Sequence, residues 1–211
     1  MSQNRKAGRP KADRQVNRRA DLVDAAIGIV AKHGFASLNM REAALKADVS
    51  LGLVRHYFGS KTGLISACDA AVENEIAAIF TAVFMGSEAK SADQQVEAMT
   101  QRLITEVSPK IKYFQYLGQL ALRNDKTARA SFAVYFETVK EFVEGLDAAQ
   151  SLPKNRDRTW AIFQFIFLQL GPVLLEPQIS NIIGRDAFEP DVIRARVTSM
   201  SRMLKSGLLT A

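Results

Sequence analysis

Cysteine is almost missing from this chain: Cys68 is the only one in 211 residues, so no internal disulfide can form, and a reducing compartment suits it. Histidine is nearly as scarce, represented by His33 and His56 alone. Cys68 falls on the apolar stripe of a long helical stretch, so neither a metal cluster nor a Cys–His nucleophile can be assembled from nearby positions. No glycine-rich loop of the kind that cradles phosphates is present. An enzyme, a metal and a cofactor are therefore not expected. A positively charged start followed by an apolar segment and a small-residue cleavage site is also missing, so the expected location is cytoplasmic. The most apolar stretch, residues 159–175, is interrupted by Gln164, Gln169 and Pro172 and flanked by Asp157, Arg158 and Glu176. It falls short of the roughly 20 apolar residues that cross a bilayer, and a buried helix is expected there.

What is present is average in amount and uneven in placement. A hydrophobic fraction of 47% and a charged fraction of 24% exclude a disordered or collagen-like chain. Residues 1–61 hold 12 Lys and Arg against 5 Asp and Glu, whereas residues 62–211 hold 16 against 17. The net charge of +6 thus belongs to the first 61 residues. Such a localised positive field favours a polyanion, either nucleic acid or an anionic surface.

Apolar periodicity points to an all-α chain. Residues 1–17 carry Arg5, Lys6, Arg9, Lys11 and Arg14 with few large apolar side chains, and read as a flexible basic arm. Leu22, Val23, Ala26, Ile27 and Val30 then mark one face of a helix over residues 18–33, with Gly34 to stop it. Asn39 is placed to cap a short second helix with inner residues Met40, Ala43, Ala44 and Ala47. Asp48 and Val49 form a tight turn, Ser50 caps a third helix through Tyr57, and Ser60 caps a fourth from Lys61. Ile65, Cys68, Val72, Ile76, Ile79 and Val83 continue that fourth helix as one long stripe. Further helices are expected near residues 91–107, 109–123, 127–148, 157–175 and 190–206. The expected organisation is an arm (1–17), a three-helix unit (18–64) and a larger helical unit (65–211).

Two short helices joined by a tight turn over residues 39–58, small at their crossing and basic in setting, meet the requirements of a helix-turn-helix. If Val54 and Phe58 pack inward, Leu51, Leu53, Arg55 and His56 face outward, and Gly52 lets the backbone come close to a duplex. Arg55 suits guanine O6 and N7, and Leu53 suits a thymine methyl.

The stretch GFASLNMREAALKADVSLGLVRHYFGSKTGL, residues 34–64, resembles the DNA-binding segment of the tetracycline-repressor (TetR) family. The likeness rests on Gly34-Phe35, the spacing of Ala44 and Ala47, Val49-Ser50 ahead of Gly52, and Tyr57-Phe58 ahead of Lys61 and Leu64. Three positions depart from the family's usual residues: Asn39 replaces Thr or Ser, Asp48 replaces Gly, and Arg55 replaces Tyr. Asn caps as well as Ser or Thr, and Asp is among the few residues that visit the left-handed region. The resemblance implies that Tyr57 and Lys61 contact phosphates and that Arg41 reaches backbone or base, and Asn39 and Ser50 are candidate DNA-binding residues beside them. Lys61 also lies at a helix start, where free N–H groups attract phosphate. The arm's KAGRPK, residues 6–11, partly resembles an AT-hook core, which would insert Arg9 into a minor groove.

Eleven of the 17 aromatic residues lie between positions 113 and 167. Phe114, Gln115, Phe132, Phe136, Phe163 and Gln164 are the candidate lining of an effector pocket. A helix apolar on all sides needs covering on all sides, so Trp160, Phe163, Phe167, Leu170 and Leu174, with Ile193, Val197, Met200 and Leu204 of the last helix, are the candidate homodimer interface. The resemblance implies a dimeric transcriptional regulator, in most such cases a repressor, that binds a palindromic operator in double-stranded DNA and answers to a small-molecule effector. The alternative is a helical small-molecule-binding protein whose basic start meets a membrane or an acidic partner.

Overall fold

The structure, a computed structural model, describes residues 11–84, 98, 100–148 and 157–205. Among these residues there is no β-strand. The elements are α1 (Lys11–Ser37), α2 (Met40–Lys46), α3 (Leu51–Phe58) and α4 (Lys61–Phe84), then a π turn (Leu103–Val107) and a 3-10 turn (Ser108–Lys110). They are followed by α5 (Ile111–Ala121), α6 (Lys126–Ala148), α7 (Arg158–Leu174), α8 (Glu176–Ile183) and α9 (Pro190–Lys205). The chain divides into two compact units, residues 1–71 and 72–211, and α4 supplies residues to each.

In the first unit, α1 begins at Lys11 rather than Arg18, so residues 11–17 are helical where an arm was expected. Beyond Pro10 this stretch holds no helix breaker, and extending a helix already nucleated adds a hydrogen bond for each residue fixed. Gly34, with φ 77° and ψ 171°, interrupts the helical geometry, in a region that glycine adopts without steric cost. Leu22, Ala26, Ile27 and Val30 are fully buried, and so are Leu38, Ala43, Val54, Leu64 and Cys68 from the following elements. Burying each large aliphatic side chain contributes about 1.5–3 kcal/mol.

In the second unit, α5 approaches α7 closely: a Cβ on Gly118 would lie 3.2 Å from Leu174 Cδ2 and 3.4 Å from Val173 Cγ1. Phe114, Tyr116, Leu117 and Leu120 of α5 are buried with Tyr135, Val139 and Val143 of α6 and Ile162 and Ile166 of α7. The Tyr135 hydroxyl donates to Gln169 Oε1 at 2.5 Å, which satisfies the one polar atom of a ring that Phe80 and Phe132 meet edge-on. Asp125 and Asp157 cap α6 and α7, accepting from the N–H groups of Ala128 and Trp160 at 3.0 Å each.

Several expectations need correction. Leu170, Ile193 and Val197 are 4%, 2% and 4% exposed, so they are spent on the core of this chain and cannot form an interface between copies. Gln164 is on the exposed side of α7 and does not line the interior. Of the helix expected over 91–107, residues 91–97 and 99 lie outside the described residues, and its last five residues form a π turn that a 3-10 turn follows. Pro109 lacks the N–H that would continue the α ladder. Between the helices expected at 157–175 and 190–206 the chain forms a further one, α8, with Pro177 in its first turn, a place where its missing N–H costs nothing. Arg9 lies outside the described residues, as does the side chain of Leu204.

No single helix among the described residues is long and apolar enough to cross a membrane. The α7–α8 pair reaches that composition only together, and it is bent by 67° at the break.

Candidate nucleic-acid interface

The geometry of the first unit is set by side chains that close helix ends. Asn39 Oδ1 accepts from the Glu42 N–H at 2.8 Å while its Nδ2 donates to Glu42 Oε2 at 3.3 Å, a reciprocal cap that starts α2. The turn after α2 passes through Asp48 at φ 52°, the one described non-glycine residue in the left-handed region. Ser50 Oγ then accepts from the Leu53 N–H at 3.2 Å and starts α3. Ser60 repeats the device for α4, accepting from the Gly63 N–H at 3.1 Å. Asn39 and Ser50, both expected at a DNA contact, thus have structural work as caps.

On α3, Val54 is fully buried and Arg55 and His56 are exposed; Leu51, Leu53 and Tyr57 are half-buried, and Gly52 is exposed. A Cβ on Gly52 would meet only Ser50 Oγ, at 3.8 Å. Among the described residues nothing requires glycine there. Phe58, expected to pack inward, is half-buried beneath the Arg19 guanidinium, which sits 5.3 Å from the ring centre. Lys61 is exposed at the start of α4 and its ammonium donates to the Phe35 carbonyl at 3.1 Å. Arg41 is exposed in the first turn of α2.

No carboxylate occurs in the sequence between Asp48 and Asp69, so α3 and the start of α4 carry positive side chains alone. Among the described residues Arg19, Arg41 and Arg55 have no carboxylate partner. In the second unit, by contrast, Lys110 pairs with Glu75 at 2.7 Å, Arg123 with Asp125 at 2.5 Å, Lys140 with Glu137 at 2.8 Å and Arg185 with Glu189 and Asp191. The Asp125 and Asp191 carboxyls lie below their ordinary range, Asp125 chiefly because it accepts from the Ala128 N–H and Asp191 chiefly because it accepts from Arg185. Unneutralised cations in the first unit leave a field free to act on an external anion. Arg19 is the residue that sequence reading passed over. Its meeting with Phe58 is a tertiary contact between α1 and α3, and no local pattern signals it.

Among the candidate effector residues, Phe136 and Phe163 meet with ring centres 5.2 Å apart, and Phe163 also faces Trp160 at 5.8 Å and stacks on Phe167 at 6.1 Å. Phe114 is buried in α5, and Gln115 and Phe132 are half-buried. Of the candidate interface residues, Trp160, Phe167 and Leu174 are exposed on one side of α7, by 59%, 57% and 39%. Met200 is half-buried. Cys68 is fully buried, and burial first, then the neighbouring Asp69, pushes its thiol up to about 12. No group of three or more His, Cys, Asp or Glu able to hold a metal ion occurs among the described residues.

These features define a helix-turn-helix unit with an exposed, cationic third helix. A family model described as bacterial regulatory proteins, tetR family, matches residues 22–68. Residues 22–68 therefore carry a DNA-binding helix-turn-helix of the TetR type. The HTH-type transcriptional regulator BetI of Paraburkholderia phytofirmans is 40% identical over 58 residues, 28% of this chain and 30% of that protein. BetI of Burkholderia thailandensis is 38% identical over the same length. The matched stretch therefore spans less than a third of these relatives. The fold extends further. A TetR-like transcriptional regulator from Rhodococcus sp. RHA1 has a TM-score of 0.66 at 18% identity, covering 95% of this chain and 100% of the other. The fatty acid degradation regulator FadR of Bacillus halodurans has a TM-score of 0.65 at 15% identity, covering 90% and 98%.

Proposed function

We propose that this chain is a cytoplasmic, homodimeric transcriptional repressor that binds a palindromic operator and releases it when a small molecule enters its second unit. One observation supports the DNA-binding role above the others: Arg41 and Arg55 are exposed on the two helices of the helix-turn-helix, with no carboxylate partner among the described residues. In this reading α3 enters the major groove. Arg55 takes guanine, Leu53 a thymine methyl, and His56 and Leu51 further base edges, while Arg41, Tyr57 and Lys61 hold phosphates. Gly52, free of internal constraint, gives the backbone room to approach.

The exposed face of Trp160, Phe167 and Leu174 supports dimerisation, because an aromatic face of this kind is costly to leave in water. The half-buried aromatics Phe132, Phe136 and Phe163, near the Tyr135–Gln169 hydrogen bond, support an apolar effector with one polar anchor. Repression, rather than activation, follows the family resemblance.

Selecting bound sequences from random DNA with the full chain tests the proposal. It should yield a palindrome whose half-site centres lie about one helical turn apart, roughly 34–36 Å. A bound pool without a shared motif would overturn it.

A further inference from the structure

We infer that Arg19 is an additional DNA-binding residue, a phosphate contact that α1 supplies and that Phe58 holds in place. The inference rests on the DNA-binding reading above and adds a residue to its interface. Arg19 is exposed, its guanidinium centre lies 5.3 Å from the centre of the Phe58 ring, and among the described residues no carboxylate neutralises it. An aromatic face orients a guanidinium without consuming its charge, and leaves its N–H donors available in the plane of the group. A carboxylate clamp such as the one on Arg123 does the opposite, since it occupies the donors and cancels the charge. Position supports the same conclusion. Phe58 is the last residue of α3, bracketed by Arg55 one turn earlier and Lys61 at the start of α4. Arg19 is therefore delivered by a separate helix to the corner where α3 ends and α4 begins. Planar bidentate donation to phosphate is the chemistry that arginine, more than lysine, performs there. A phosphate contact carries no base preference, so Arg19 should fix the docking angle of α3 and leave the choice of sequence to others.

The test is DNA binding by the full chain, titrated against salt on its selected operator, for the native protein, Arg19→Ala, Arg19→Lys, Phe58→Leu and the double variant with Arg19→Ala and Phe58→Leu, with thermal unfolding of each. Arg19→Ala should bind more weakly on every operator variant by a similar factor. Its plot of log affinity against log salt should be shallower by about 0.9 for each subunit. Arg19→Lys should keep the native slope and lose part of the affinity. Phe58→Leu should weaken binding less once Arg19 is already alanine, because the ring acts through the guanidinium. If the native chain binds its operator and Arg19→Ala keeps both slope and affinity, Arg19 is only a clamp between α1 and α3 and the inference fails. If the native chain selects no DNA at all, the functional reading fails instead.

Discussion

A Cβ placed on Gly63 would lie 2.1 Å from the carbonyl oxygen of Phe58, closer than any real contact, so the first turn of α4 is pressed against the last residue of α3. Alanine at Gly63 must push the two helices apart. Gly63→Ala is expected to destabilise the first unit by about 1–3 kcal/mol or more, as overpacked sites do. Thermal unfolding checks this, and an unchanged midpoint would show that the turn tolerates the shift.

Gly52 gives the opposite expectation. Its Cβ would enter open space beside Ser50, and alanine favours a helix over glycine by roughly 1 kcal/mol. Gly52→Ala should leave the fold as stable or slightly more stable while weakening operator binding. A variant that keeps full affinity would remove backbone approach at Gly52 from the account.

Cys68 is fully buried, its thiol directed at the Val23 carbonyl across 3.8 Å. Burial raises its pKa from 9.0 to about 12, so the folded chain keeps a proton that the unfolded chain loses. The thiol's contribution to stability is therefore complete below pH 9 and fades as pH rises from about 9 toward 12. Cys68→Ala should flatten that part of the alkaline decline. Thiol reagents should label the native chain slowly at pH 8 and rapidly in denaturant, and fast native labelling would contradict this burial.

The two faces of α7 can be separated by charge. Phe167→Glu, on the exposed face, should give a folded monomer in sedimentation, with operator affinity lost along with the second reading head. Leu170→Glu, at a core position, should unfold the second unit, since an unpaired buried carboxylate costs several kcal/mol. A Phe167→Glu dimer of native affinity would move the interface elsewhere.

Legibility followed the range of the interactions. The caps at Asn39, Ser50 and Ser60, the turn at Asp48 and the buried stripe Cys68, Val72, Ile76, Ile79 and Val83 are local, and a helical period or a single side-chain type reveals them; at the start of that stripe Leu64, rather than Ile65, is the buried residue. The places where the reading failed involve long-range competition. Leu170, Ile193 and Val197 share an apolar pattern with Trp160 and Phe167, and only packing decides which face inward. Arg19 on Phe58 and Lys61 on the Phe35 carbonyl join residues distant in the chain. The helix at Glu176–Ile183 was hidden because Pro177 both ends and begins helices.

Repeating the DNA selection with Arg55→Ala and Lys61→Ala tests most directly that α3 reads bases. Arg55→Ala should lose preference at one position in each half-site, by about 1–3 kcal/mol of discrimination, while the rest of the motif survives. Lys61→Ala should return the native motif with uniformly weaker binding. An Arg55→Ala motif identical to the native one at every position would contradict the account.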